Sequence, residues 1–142
     1  MRPIKFKAQR VSDGEWVEGS YIRLVVYGVM KHFILPANGL MFDDVLLKDI
    51  LIEIDPNTLC QFTGLVDIDR VEVYEHDIIM TEICLMVVVY VATSASFGAV
   101  PLKQFNELSD KSNISTDDMY WFDNDIVDLG LYGNIHDKTG ER

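Results

Sequence analysis

The sequence predicts a mostly β protein with little helix, and three observations predict it. Ile4-Lys5-Phe6-Lys7-Ala8 and Val71 to Tyr74 alternate at the two-residue period of a half-buried strand. Val87-Val88-Val89-Tyr90-Val91 is a β-branched run whose stiff side chains suit a pleated, buried strand better than a helix. Turn residues cut between such segments at short intervals: Pro36-Ala37-Asn38-Gly39, Asp55-Pro56-Asn57 and Asp67 to Arg70.

Taken in order, Ile4 to Ala8 forms the first strand, and Gly14 breaks it before Trp16 to Gly19 and the long run Tyr21 to Tyr27, a β meander. Lys31 to Leu35 is a further apolar stretch, ended by the Pro36 to Gly39 loop. Phe42, Val45, Leu46, Leu47, Ile50 and Leu51 recur near helical spacing behind Asp43 and Asp44, which favour a helix N-terminus, whereas Leu51 to Ile54 reads as strand. Pro56 closes that element, because the residue before a proline is pushed to extended geometry. Gln61-Phe62-Thr63-Gly64 ends a strand at a glycine; Val71 to Tyr74, Asp77 to Met80, Ile83 to Ala92 and Phe97 to Leu102 follow as an up-and-down sheet. From Lys103 to Asp128 the pattern weakens into a polar loop carrying Met119 to Phe122, and Asp128 to Ile135 is a last short strand before a polar tail.

Length and composition fit one folded unit with a true core: 142 residues, 49% apolar and 25% charged. Net charge is −11, with residues 1–35 at +3, residues 36–105 at −8 and residues 106–142 at −6. A phosphate backbone needs cations to neutralise it, so nucleic acid is disfavoured as a partner, and a basic protein surface is the better match. Met1 to Lys7 lacks the apolar core of an export signal, and the apolar run Ile83 to Ala92 is about half of what a membrane helix needs. The expectation is a cytoplasmic protein with no membrane partner. Cys60 and Cys84 show no C-x-x-C spacing and are expected as thiols, with pairing left open.

The start Met1-Arg2-x-Ile4-Lys5-Phe6-Lys7-Ala8, the central Gln61-Phe62-Thr63-Gly64-Leu65, Tyr74-Glu75-x-Asp77-Ile78 and the terminal Gly133-Asn134-Ile135 stand in an order that resembles the YopX family of phage and prophage proteins. The resemblance implies a small SH3-like barrel in residues 56–142, its core in 56–135 with Tyr74 to Ile79 as the entry strand, and residues 1–55 as an N-terminal β-rich part packed on it. It implies a bacterial host and no established activity. Two positions depart from the family's habit: His76 stands where glycine is usual, and Gln9 where an aromatic is usual. Glycine before Asp77 would serve a positive φ, so His76 is either strained or sits in a remodelled turn.

Candidate sites are few. Glu75, His76 and Asp77 place an imidazole among carboxylates, the raw material of an acid–base or ligand-binding site, but adjacent turn residues usually point apart. His32 and His136 offer no H-x-x-x-H or H-E-x-x-H spacing, and no zinc motif exists. Asp123-Asn124-Asp125-Ile126-Val127-Asp128 lacks the glycine and the closing Glu of a calcium loop. There is no P-loop, G-x-G-x-x-G or G-x-S-x-G, so no cofactor is expected and no catalytic motif is present. Trp16, Met119, Tyr120, Trp121 and Phe122 are the residues best able to anchor a partner, since rigid aromatics dominate interface hot spots; core filling is their rival role. The reading is an interaction protein acting by protein–protein contact or self-assembly, with a ligand-binding or hydrolytic protein using His76 and Asp77 as the alternative.

Overall fold

Alternation and turn chemistry carry through into the structure, a computed structural model that describes residues 3–36, 50–81, 84–108, 120–121 and 130–137. The chain is mostly antiparallel β, in two units, Met1–Phe62 and Thr63–Arg142.

In the first unit the strands are β1 Phe6–Gln9, β2 Trp16–Val26, β3 Val29–Pro36, β4 Ile52–Glu53 and the first part of β5 Cys60–Val66, in the sheet order β4-β3-β2-β1-β5. The separate segments expected at Trp16 and Tyr21 are one strand, because Gly19 takes its place in the ladder opposite both Phe6 and Pro36. The β2–β3 hairpin closes through Tyr27 and Gly28, with φ of 49° and 78°. Positive φ at both central residues marks the two-residue turn whose twist matches its strands. Ala8, Ile34 and Ile54 form the buried centre, with Phe6, Val17, Tyr21 and Leu59 packed on them. Asp55 caps the 3-10 turn Pro56–Thr58 by accepting the Asn57 N–H, and the Thr58 hydroxyl, donating to the Asp55 carbonyl, accepts the Gln9 N–H at 2.9 Å.

In the second unit the latter part of β5 pairs with β6 Glu72–Tyr74. Asp67 shapes the turn between them: its Oδ1 accepts the Asp69 and Val71 N–H groups, both at 2.8 Å, and its Oδ2 accepts Leu131 N–H at 3.3 Å. A second sheet has the order β10-β9-β8-β7-β11, built from β7 Asp77–Met80, β8 Leu85–Val91, β9 Ser96–Pro101, β10 Tyr120–Trp121 and β11 Gly130–Asn134. The β-branched run is its middle strand, buried on both faces, which is why it reads as continuous rather than alternating. Val87, Val89 and Val91 pack with Ile78, Val100 and Phe105; Val88 packs with Val73, Ile79 and Phe97. Each fully buried aliphatic side chain contributes about 1.5–3 kcal/mol.

Three expectations need correction. The SH3-like barrel is not confirmed: among the described residues the five-stranded sheet is open, with β10 and β11 as its ends. The expected weakening after Lys103 begins instead with a short helix, α1 Leu102–Glu107, whose Phe105 fills the core; Pro101 at its start has the fixed φ that suits a helix entry. Gly64 does not end its strand. It lies inside β5 at φ 90°, a backbone excursion within the ladder. The helical spacing over Phe42 to Leu51 falls mainly on residues outside those described.

Candidate functional site

The β6–β7 turn, Glu75-His76, is held from both sides. The His76 N–H donates to the Val88 carbonyl at 2.7 Å, and the His76 carbonyl accepts the Ile135 N–H at 3.1 Å. His76 has φ 67°, so the turn keeps the positive φ that glycine would serve and a histidine occupies it. A non-glycine residue there stores conformational strain of order 1 kcal/mol or more.

Beneath the turn lies a buried polar network. Asp77, 1% exposed, accepts the Tyr74 N–H and the Asn134 side-chain amide, each at 2.8 Å. Asn134 in turn accepts the His136 N–H through Oδ1 at 2.9 Å, reaches the Glu75 carbonyl at 3.4 Å through Nδ2, and donates its own N–H to Asp137 at 2.8 Å. Residues almost sixty apart in sequence are thereby fixed as one polar centre. Both oxygens of Asp77 accept structural bonds, which makes it an organiser of the turn rather than a base aimed at solvent.

Above the network two imidazoles meet. His76 Nδ1 is 3.2 Å from His136 Nε2, the rings are 5.2 Å apart at 69°, and the Phe105 ring stands 6.1 Å from His76. Burial first, and the charge of His136 second, lower the His76 pKa to about 4, so the imidazole is neutral at physiological pH.

The expected trio is thus divided: His76 turns to His136, Asp77 turns inward to Asn134, and Glu75 contributes its carbonyl. The parts that sequence reasoning missed are Asn134 and His136. No local spacing ties them to the turn, and only the presence of Gly133-Asn134-Ile135 as a recognisable block points toward them.

Of the expected interaction residues, Trp16 is half-buried in β2 with Lys7 Nζ 4.8 Å from its ring centre. Tyr120 and Trp121 form β10, opposite Ala99 and Gly98 of β9. Met119 and Phe122 lie outside the described residues. Cys60 and Cys84 are both thiols, the first buried and the second exposed. Among the described residues no helix is long and apolar enough to cross a membrane.

A second notable surface is the β2–β3 hairpin tip in the first unit. Leu24, Val25, Tyr27, Val29 and Met30 are all exposed, and Tyr27 is fully so at 101%. Register pairs Val25 with Met30 on one face and Val26 with Val29 on the other, so the end of the tip is apolar on both faces. The sequence marks Tyr21 to Tyr27 as a strand but gives no sign that its end is left uncovered.

A family model described as YopX protein matches residues 5–140, nearly the whole chain. No curated protein matches the sequence.

Proposed function

We propose that this chain, which belongs to the YopX family, acts in the bacterial host of a phage or prophage by protein–protein contact, assembling with a second copy of itself through the β2–β3 hairpin. The observation that carries the reading is the length of β2. Its pairing with β1 stops at Gly19, while the strand runs on to Val26. The His32 carbonyl turns away from β2 to accept the Ile54 N–H, so Arg23, its register partner, also directs its backbone groups outward. By the same alternation Tyr21 and Val25 present theirs along the same edge. Among the described residues no strand pairs with that edge.

An unpaired edge beside an apolar tip is a template for strand addition. A second copy supplies the match without any other molecule, since antiparallel pairing about a two-fold axis sets the same edge against itself. A register with Arg23 opposite Val25 of the second copy avoids directly facing like charges and sets the apolar side chains of the two tips side by side. Tyr27, held at positive φ and wholly in solvent, is then an anchor rather than an accident of the turn.

Sedimentation velocity over a concentration series tests this. The wild-type chain should form dimers at tens of micromolar, and Val25→Lys should leave monomers with unchanged circular dichroism. A wild-type chain that stays monomeric refutes the reading. A dimer that survives Val25→Lys and is lost in Trp121→Ser with Phe122→Ser moves the contact to residues 119–122.

A further inference from the structure

We propose that His76 and His136 form a binding site for a divalent transition-metal ion of the zinc class, a property separate from the hairpin contact. The two facing nitrogens are 3.2 Å apart. Two imidazoles bound to one tetrahedral ion at about 2.0–2.1 Å place their nitrogens about 3.3 Å apart, so the existing pair already has the spacing of two ligands on one metal.

The backbone around both rings is set before any ion arrives. Asp77 holds Asn134, Asn134 holds the His136 N–H, and Val88 and Ile135 hold His76 from either side. Preorganisation of this kind removes the ordering cost that weakens metal sites on loose side chains. Imidazole binds metals in its neutral form, through the lone pair of an unprotonated ring nitrogen. The position also carries conformational strain at φ 67°, the kind of cost that persists where a side chain has a task.

Two nitrogens supply half of the donors that a tetrahedral ion takes. Phe105 walls one side with an apolar ring, which limits solvent and strengthens the metal–nitrogen bonds. The competing account of the same distance is an ordinary N–H···N hydrogen bond between the rings.

Isothermal titration of the untagged, EDTA-stripped full chain with Zn²⁺ at pH 7.5 separates the two, with Cu²⁺ electron paramagnetic resonance to count coordinated nitrogens. The expected result is one ion per chain, two imidazole nitrogens in the Cu²⁺ spectrum, and roughly tenfold or greater loss of affinity in both His76→Gly and His136→Gln. His76→Gly suits the positive φ, so its fold should persist and its loss of binding cannot be ascribed to unfolding. His32→Gln, a substitution of the histidine in the first unit, should bind as the wild type does. Absence of Zn²⁺ binding in the wild type, or binding that survives either the His76 or the His136 substitution, overturns the proposal and leaves a hydrogen-bonded pair.

Discussion

Replacing Asp77 with alanine should destabilise the second unit more than any exposed substitution. The side chain is 1% exposed and accepts two hydrogen bonds at 2.8 Å, from the Tyr74 backbone and the Asn134 amide. Hydrogen bonds to a charged acceptor contribute about 1.5–3 kcal/mol each, and a donor left buried without an acceptor costs about 1–3 kcal/mol. These figures describe the same loss from two sides, so they are not summed; together they place the effect at about 3–5 kcal/mol, a large part of the roughly 5–15 kcal/mol that holds a domain together. With a urea slope of about 2 kcal/mol per molar, the unfolding midpoint should fall by about 2 M. Asp77→Asn keeps one oxygen but turns an NH₂ group toward a donor, and its loss should approach that of alanine. The assay is equilibrium urea unfolding at pH 7, followed by far-ultraviolet circular dichroism. Combining Asp77→Ala with Asn134→Ala should give less than the sum of the single losses, by about 1–2 kcal/mol, because the two share a bond. A single-variant loss below about 1 kcal/mol, with the structure intact, would refute the idea that this carboxylate organises the turn.

Acid should weaken the fold through His76. Its folded pKa, lowered to about 4 by burial and then by His136, lies below the ordinary 6.5, so the unfolded chain takes up the proton first. Stability from this group is whole above pH 6.5 and declines by about 2–3 kcal/mol as the pH falls to about 4, a component that should vanish from the unfolding profile of His76→Gly. At the hairpin, Tyr27→Asn creates Asn-Gly, the favoured pair for a turn with two positive φ values, and should raise the thermal midpoint slightly while weakening self-association measured by sedimentation. Gly28→Ala has open space at its β-carbon but φ 78°, so its loss of about 1 kcal/mol in urea unfolding should come from the backbone alone. A gel shift at low salt should show no retention of random duplex DNA at micromolar protein, given the net charge of −11.

Most strands were legible in the residues because their signals are local. Val87 to Val91 declares a doubly buried strand by its β-branching, and Val71 to Tyr74 a half-buried one by alternation. Register and edges were not legible: nothing in Tyr21 to Val26 says where β1 stops pairing, since that is set by the length of a different strand. The helix at Leu102–Glu107 was missed because a six-residue helix spans too few turns to show a period, and Phe105 alone carries its contact with the core. At the polar centre the sequence singled out Glu75, His76 and Asp77 by adjacency, whereas the bonds run from Asp77 to Asn134 and from His76 to His136. The positive φ at His76 was foreseeable, because it followed from the kind of residue the turn accommodates best.

The placement of β11 beside β7 has a consequence during synthesis. β7 leaves the ribosome well before its neighbour, since Met80 pairs with Gly130 and Asp77 with Asn134. At about 5–20 residues per second, roughly three to ten seconds pass between the two strands being made. Once β8 has paired, Ile78 and Ile79 still lie on a strand with one edge open, and Asp77 lacks its amide. A nascent chain stalled before residue 130 would therefore display a sticky apolar edge, whereas a few residues more would seal it. Translational pausing in this short stretch should govern how much of the protein reaches the soluble fraction.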